Sequence, residues 1–139
     1  MQNGIFRNNK VYANGDNGIS IGHHDTDNIF YNNHIYENGF QGVLFRNETE
    51  QNSGHRNTFT NNIIENNGMK EESSGFLIGG ETRDIVLTNN TIRSLGRGNQ
   101  STAILLPRDL QILLQQIIKY QDPRRLFAKN REKRRHFRY

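Results

Sequence analysis

The feature that most constrains this sequence is a unit built around an Asn-Asn pair, which recurs along most of the chain. In the clearest copy, residues 29–39, apolar and aromatic residues precede the pair, an apolar residue follows two positions after it, and polar residues lead to a Gly. The intervals between successive pairs are 24, 29 and 28 residues, and the pairs begin at Asn8, Asn32, Asn61 and Asn89. Repetition at such a period is typical of proteins whose units stack on one another. Each copy is therefore predicted to form one coil of a solenoid.

The composition favours short strands and many corners. Of the 139 residues, 20 are Asn and 13 are Gly, and the hydrophobic fraction is 32%. Asn and Gly are poor helix formers and favour turns. The absence of Cys excludes disulfides and Cys-ligated metal sites, and no apolar run reaches the roughly 18 residues of a membrane-spanning helix. The sequence therefore predicts an all-β protein.

The chain changes composition near Pro107. Residues 1–106 carry 8 Lys and Arg against 11 Asp and Glu, whereas residues 107–139 carry 10 against 3. All 13 Gly and 19 of the 20 Asn precede residue 107. We therefore expect a repeat domain over residues 1–106 and a basic tail over residues 107–139.

Within a coil, apolar residues alternate in segments that are too short for helices. A period of two, broken by polar corners, relates Ile19, Ile21, Ile29, Tyr31 and Ile35. This pattern predicts three short strands per coil. Parallel strands of successive coils pair about 4.8 Å apart, so inward residues are expected to stack in files, which are Ile19/Val43/Phe76 and Ile21/Phe45/Ile78. The same alternation places Tyr31 inward and Tyr36 outward.

The pattern resembles the repeats of the right-handed parallel β-helix family, which includes pectate lyases and related polysaccharide-processing proteins. The resemblance covers roughly residues 3–106. In that family a tight turn between the second and third strands of each coil carries Asn residues that stack as an internal ladder. Asn suits this role because it tolerates a left-handed backbone and its amide can bond the same amide one coil away. Counting by two back from Ile35 makes the second Asn of each pair inward, which assigns the ladder to Asn9, Asn33, Asn62 and Asn90.

The resemblance also implies a substrate groove along the outer face of the first strand of each coil, with acting residues there and in the adjoining corners. Aligning the corners stacks His24 with Glu48 and Glu81, Asp25 with Thr49, and Glu50 with Arg83. Carboxylates beside Arg and His suit acid and base catalysis or the binding of an acidic sugar. The candidate catalytic residues are Arg46, Glu48 and Glu81, and the candidate substrate contacts are His24, Asp25, Tyr36 and Arg83. Arg46 is the foremost of these, as a base or a carboxylate-binding group; a solvated corner without chemistry is the alternative.

No metal site is assigned. The segment 23–27 contains two His and two Asp, which are metal-ligand types, but adjacent residues of an extended strand point to opposite sides. No cofactor is predicted either. Because lyases of the resembled family typically bind calcium through Asp and Glu, the resemblance implies that calcium is possible in a longer parent protein.

The tail admits two readings. Apolar residues at 110, 113, 114, 117 and 118 have helical spacing, which predicts a short helix near residues 109–120 if the tail is ordered, and a solvated basic run otherwise. Read one nucleotide early, however, the possible codons can spell Ile-Val-Thr-Thr-Asn-Asn-Lys-Ile, which matches residues 85–92 in register. We therefore hypothesise a frame shift between about Ala103 and Asp109, which would leave the tail without a selected function. The coding DNA would decide this.

These observations predict a fragment of a carbohydrate-binding or polysaccharide-processing protein. The complete parent protein could be a polysaccharide lyase or a glycoside hydrolase. The 139-residue chain itself is expected to be inactive. The expected partners are a polysaccharide or other extended glycan and further β-helix coils of the parent chain. Nucleic acid and a membrane span are not expected, and an extracellular, cell-surface or periplasmic location is implied by the resemblance alone. The alternative is a non-catalytic structural or binding solenoid. Outward aromatic residues with stacked Asp and Arg would favour the first hypothesis, and a bare Gly/Ser/Asn face the second.

Overall fold

The computed structural model describes residues 1–106 in full and, beyond them, only two backbone strands at Ile112–Leu114 and Phe127–Lys129. The strands, numbered in chain order, are β1 Ile5–Arg7, β2 Lys10–Tyr12, β3 Ile19–Ile21, β4 Ile29–Tyr31, β5 His34–Tyr36, β6 Val43–Phe45, β7 Thr58–Thr60, β8 Ile63–Glu65, β9 Ser73–Ile78, β10 Ile85–Thr88, β11 Thr91–Arg93, β12 Gln100–Leu106, β13 Ile112–Leu114 and β14 Phe127–Lys129. The residues described in full contain no helix.

The strands form three parallel sheets, and each complete coil contributes one strand to each sheet. The first sheet has the order β1-β4-β7-β10-β13, the second β11-β8-β5-β2, and the third β14-β12-β9-β6-β3. The chain thus winds around three sides about four times, as a parallel β-helix. The predicted all-β solenoid is confirmed. Across the part of the chain that the structure describes, no helix is long and apolar enough to cross a membrane.

The core is a set of apolar files inside the coils, parallel to the solenoid axis. Strand register confirms the two files predicted from sequence, Ile19/Val43/Phe76 and Ile21/Phe45/Ile78. On the first sheet, Phe30 lies between Phe6 and Phe59, with ring centroids 5.7 and 4.3 Å away. Burial of such a side chain contributes about 1.5–3 kcal/mol. Because this burial comes mainly from neighbouring coils, each coil depends on the next for its stability.

The inward positions of the first sheet differ from the prediction. Phe30 is buried, whereas its neighbour Ile29 is 43% exposed and Tyr31 is half-buried on the outer face. The predicted inward placement of Tyr31 is therefore wrong. The error arises at Asn32, because its φ of 56° turns the chain and breaks the alternation. The inward residues Phe30 and Asn33 are therefore separated by two residues, whereas strict alternation would separate them by one.

The asparagine ladder is confirmed. The side-chain amide Nδ2 of Asn9 donates to Oδ1 of Asn33 at 3.1 Å, and the series continues from Asn33 to Asn62 and from Asn62 to Asn90, both at 3.0 Å. Each Oδ1 also accepts the backbone N–H of the preceding ladder residue. The ladder thus satisfies buried polar groups at a corner that strand pairing cannot reach.

The two residues of each Asn-Asn pair have different roles. The left-handed backbone belongs to the first residue of every pair, with φ between 55° and 57° at Asn8, Asn32, Asn61 and Asn89. The stacked amide belongs to the second residue. The resemblance combined both properties in the stacking residue, but the structure divides them, which explains why the sequence repeats a pair.

A second ladder, which sequence reasoning missed, lies at the corner between the second and third sheets. Asn14 donates to Asn38 and Asn38 to Asn67, each at 2.9 Å between Nδ2 and Oδ1, and Asn67 donates to Oε1 of Gln100 at 2.8 Å. The available signal was the dipeptide Asn-Gly, which recurs at residues 14, 38 and 67. Two of the three corners are therefore held by stacked amides.

Most of the predicted helix near residues 109–120 lies outside the described residues. Within that range the structure describes only β13, which pairs in register with Ile85–Leu87 of β10. The basic run and the hypothetical frame shift also fall on or beside residues that are not described, and both stay predictions.

Candidate functional site

The candidate site residues, except Tyr36, lie where the third sheet passes to the first. This charged corner consists of residues 22–25, 46–57 and 79–84, which come from three successive coils. The middle segment is longer than its neighbours and carries charged side chains beyond the strands. The corner therefore brings together residues that are distant in sequence.

Arg46 lies at the base of this corner, directly after β6. Its guanidinium packs over Gly22, where an added Cβ would lie 2.5 Å from Nε. Nε is 3.4 Å from Oε1 of Glu48, yet it is enclosed and makes no hydrogen bond of acceptable geometry. Arg46 is thus held in place by packing and a loose ion pair, and about a third of its side chain is exposed.

The Glu48 carboxylate is held from two sides. Its Oε2 accepts the backbone N–H of His23 at 2.6 Å, and the His23 ring lies 3.5 Å from Oε1. The predicted stacking of His24 on Glu48 is therefore wrong by one position, because the backbone N–H of His24 donates to Asn52 instead, at 3.1 Å. Positive φ at both His23 and His24, 47° and 66°, makes this segment a tight turn and not the extended strand assumed from sequence.

Glu81 and Arg83 occupy the next coil as predicted. The N–H of Glu81 donates to the Glu48 carbonyl at 3.0 Å, and the Glu81 carboxylate accepts the N–H of Glu50, also at 3.0 Å. Arg83 forms an ion pair with Glu50. The predicted neighbours Glu48/Glu81 and Glu50/Arg83 are therefore adjacent in space. A backbone hydrogen bond joins the first pair, and an ion pair joins the second.

Asp25 has a structural role in the described coils. Its Oδ2 accepts the N–H of Gly22 at 3.1 Å, and its Oδ1 pairs with the amino group of Met1. The backbone N–H of Asp25 also donates to the Gly22 carbonyl, at 3.0 Å. One carboxylate oxygen thus closes the turn, and the other binds the amino group of Met1.

His55, which sequence reasoning did not single out, anchors the corner from inside. It is buried, its Nδ1 accepts the N–H of Arg83 at 3.2 Å, and its Nε2 lies 2.6 Å from the carbonyl oxygen of Glu50. These partners assign the acceptor role to Nδ1 and the ring proton to Nε2. A single His between two polar loops carries no sequence signal, because its partners are backbone atoms of distant residues.

The strands along which a groove was predicted, the first strand of each predicted coil, form the third sheet. The outer face of this sheet is apolar. Leu44 is in register with Leu77, and Leu77 with Leu105. These three side chains, the leucine strip, point away from the core but are only 1–4% exposed, and they form a cluster of their own. The face is therefore neither an aromatic row nor a bare Gly/Ser/Asn surface.

The fold agrees with a comparison against known families. The model of the family described as right handed beta helix region matches residues 1–105. The chain belongs to this right-handed β-helix family. No curated protein and no solved structure shows significant similarity to it. Within residues 1–106 of this β-helix, no three His, Asp or Glu side chains are grouped as metal ligands.

Tyr36 lies apart from the charged corner, on the outer face of the second sheet of the β-helix. It points outward as predicted, but its ring stacks on Tyr12, 4.9 Å away and 10° from parallel, and on His34, 4.1 Å away. Burial is the largest cause that raises the pKa of its hydroxyl. Because the ring is used within the sheet, Tyr36 does not form a site with Arg46.

Beside Tyr36 lies an ion-pair cluster that sequence reasoning missed. Glu65 pairs with His34 of the previous coil and with Arg93 of the next, where Arg93 Nε donates at 2.6 Å. Burial alone would raise the pKa of Glu65, but hydrogen bonds from Arg93 and His34 outweigh it and hold the pKa below its ordinary value. The cluster joins three coils of the β-helix through one nearly buried carboxylate.

Replacing this carboxylate tests the cluster. Glu65→Gln is expected to lower the free energy of unfolding at pH 7 by about 1–3 kcal/mol, because hydrogen bonds to a charged group are lost. Since the folded pKa is lowered, the stabilisation is complete above the unfolded pKa and is lost as the pH falls through the folded pKa. Urea unfolding from pH 7 to pH 3 should therefore show the two proteins converging in acid.

As a control, Arg97→Ala breaks only the exposed pair with Glu37 and should change stability by less than about 0.5 kcal/mol. A difference between wild type and Glu65→Gln that stays constant with pH would contradict the assignment.

Proposed function

We propose that this β-helix binds an extended acidic polysaccharide at the charged corner and does not cleave it. The observation that carries the proposal is the state of Arg46. Among the described residues, its Nε is the one side-chain nitrogen or oxygen atom that is buried without a hydrogen-bond partner. Such a group is costly to leave unsatisfied, and a carboxylate is the natural partner of a guanidinium.

The other guanidinium groups of the corner are already occupied. Arg56 binds Asp27 through two hydrogen bonds, at 2.7 and 3.0 Å, and Arg83 pairs with Glu50. Arg46 differs because its 3.4 Å contact with Glu48 is long for an ion pair with a hydrogen bond. About a third of the Arg46 side chain is exposed. An incoming sugar carboxylate would approach this exposed part and compete with a weaker partner than at Arg56.

The same contacts favour binding over cleavage. Acid and base catalysis of glycoside cleavage needs two carboxyl groups that flank the scissile bond of the substrate. Glu48 accepts a hydrogen bond from His23 and pairs with Arg46, while Glu81 accepts a hydrogen bond from the backbone of Glu50. These contacts engage both carboxylates within the corner itself.

Binding to polygalacturonate tests the proposal. Arg46→Ala is expected to raise the dissociation constant roughly 10- to 100-fold, which corresponds to the loss of one charge-assisted hydrogen bond. Affinity electrophoresis measures this, with neutral dextran as the uncharged probe. Arg56→Ala is the matched control, because it removes the same charge from the same loop but from a residue that Asp27 already binds.

Four outcomes would count against the proposal. If Arg46→Ala and Arg56→Ala weaken polygalacturonate binding equally, the effect is explained by net charge alone. If the wild-type chain binds dextran as tightly as polygalacturonate, the sugar carboxylate has no role in recognition. Release of new reducing or unsaturated ends by the wild-type chain, abolished by Arg46→Ala, would show cleavage. If the wild-type chain binds neither polysaccharide, the alternative of a structural solenoid is favoured, which agrees with the mutual pairing of most charges in the corner.

A further inference from the structure

We propose that Asn14 is a site of spontaneous deamidation, a covalent modification that the other Asn-Gly pairs of the described coils resist. The inference is independent of the proposed polysaccharide binding. It rests on whether the backbone N–H that follows each Asn is held by a hydrogen bond. Residues 1–106 contain five Asn-Gly pairs, which begin at Asn3, Asn14, Asn17, Asn38 and Asn67.

Deamidation needs a backbone nitrogen that is free to attack. The N atom of the residue after Asn bonds to the side-chain carbon Cγ and gives up its proton to solvent, while the Cγ–Nδ2 bond breaks and the departing group takes up a proton and leaves as ammonia. Water then opens either carbonyl of the resulting five-membered succinimide and yields aspartate or isoaspartate. Gly favours the attack because it has no side chain to crowd the nitrogen. An N–H that donates a hydrogen bond within the fold must first break that bond.

Four of the five Gly nitrogens donate to an acceptor in a neighbouring coil. The pairs are Gly4 with Oδ1 of Asn28 at 2.8 Å, Gly18 with the carbonyl of Gln41 at 3.0 Å, Gly39 with that of Asn14 at 2.9 Å and Gly68 with that of Phe40 at 2.9 Å. Within residues 1–106, the N–H of Gly15 has no such acceptor, and Gly15 is exposed. The nucleophile is therefore available after Asn14 alone.

The Asn side chains of the second ladder differ in the same direction. Asn38 and Asn67 are fully buried, and each amide is bonded to a ladder amide on both sides. Asn14 is exposed and is the first member of the ladder, with one amide partner, Asn38. Asn3 is exposed as well, so exposure does not separate it from Asn14. The hydrogen bond of Gly4 to Asn28 does.

The modification would act on the ladder itself. Nδ2 of Asn14 donates to Oδ1 of Asn38 at 2.9 Å. Deamidation replaces this donor by a carboxylate oxygen, which cannot donate and is repelled by Oδ1. The second ladder would lose its first hydrogen bond, and the first coil would be held less firmly at this corner. Asn14→Asp reproduces the charge of the product and should unfold at the same, lower urea concentration as the aged protein.

Ageing of the folded full-length chain in mildly alkaline buffer tests the proposal, with peptide mass mapping to locate each conversion. Asn14 is expected to convert at least about 10-fold faster than any other Asn of the five pairs, the factor that corresponds to one hydrogen bond of about 1.4 kcal/mol. In concentrated urea the five rates should become similar. Gly15→Ala is the matched control, because the added Cβ crowds the nitrogen but meets only the flexible Nζ of Lys70, at 3.3 Å.

The comparison within the wild-type chain decides the proposal without any variant. If Asn3 converts as fast as Asn14, exposure governs the reaction and the role of the Gly nitrogen is wrong. If Asn38 or Asn67 converts as fast, the dipeptide alone governs it. An unchanged rate in Gly15→Ala would also overturn the proposal. Conversely, Asn28→Ala removes the acceptor of Gly4 and should raise the rate at Asn3 towards that at Asn14.

Discussion

Asn62→Leu is expected to lower the free energy of unfolding by about 3–5 kcal/mol, because it removes a side chain that makes four hydrogen bonds in a buried corner. The Oδ1 of Asn62 accepts both the backbone N–H and the side-chain amide of Asn33, and its Nδ2 donates to Asn90 and to the carbonyl of Phe30. Leucine has a similar volume but satisfies none of these groups. The loss therefore measures the polar ladder and not the packing of the corner.

The neighbouring residue of the pair is the control. Asn61 is exposed and has φ 56°, so Asn61→Ala should cost about 1–2 kcal/mol through the left-handed backbone alone. Asn61→Gly should be almost neutral, since Gly adopts this conformation readily. Urea unfolding of the three variants gives the comparison. If Asn61→Ala proves as damaging as Asn62→Leu, the division of roles within the pair is wrong.

Phe59→Ala is expected to destabilise the protein by about 3–5 kcal/mol, as is usual for removal of a buried aromatic side chain. Phe59 is fully buried and lies at the centre of the aromatic core, 4.3 Å from Phe30 and 5.1 Å from Phe76 between ring centroids. The cavity would lie where the files of the first and third sheets meet. Thermal or urea unfolding would measure the loss.

The outward residue of the same sheet provides the comparison. Ile29 is 43% exposed, so Ile29→Ala should change stability by no more than about 0.5 kcal/mol. The alternation in the sequence assigned Ile29 to the core. If that assignment were right, Ile29→Ala would lower the free energy of unfolding by about 2–5 kcal/mol. A large loss at Ile29 with a small one at Phe59 would reverse the faces that the structure assigns.

The sequence predicted the solenoid well because each coil repeats the same local chemistry. The ladder residues, the two files of the third sheet and the spacing of coils follow from that repetition. Tyr31 was misplaced because alternation does not continue through a left-handed residue. The second ladder was missed because its last residue is Gln100, which breaks the pattern of Asn-Gly dipeptides.

The candidate site was less predictable because its corner does not repeat. Arg46, Glu48, Glu81 and Arg83 were placed in one region, but the partner of Glu48 proved to be His23, since a positive φ at two successive residues shifts the alignment. Tyr36 was grouped with them although it lies on another sheet. The Glu65 cluster was missed since its three members come from three coils and become neighbours only through strand register.

The unequal lengths of the coils suggest where this scaffold accepts new sequence. The Asn-Asn corner has the same two residues in every coil, while the changes of spacing from 24 to 29 and 28 residues fall at the other two corners. An insertion within residues 46–57 therefore leaves the strand faces unchanged. One residue added between Phe30 and Asn33 would instead reverse which side chains of a strand face the core. Evolution or engineering can thus vary the loops at the other two corners of this scaffold while the Asn-Asn corner keeps its length.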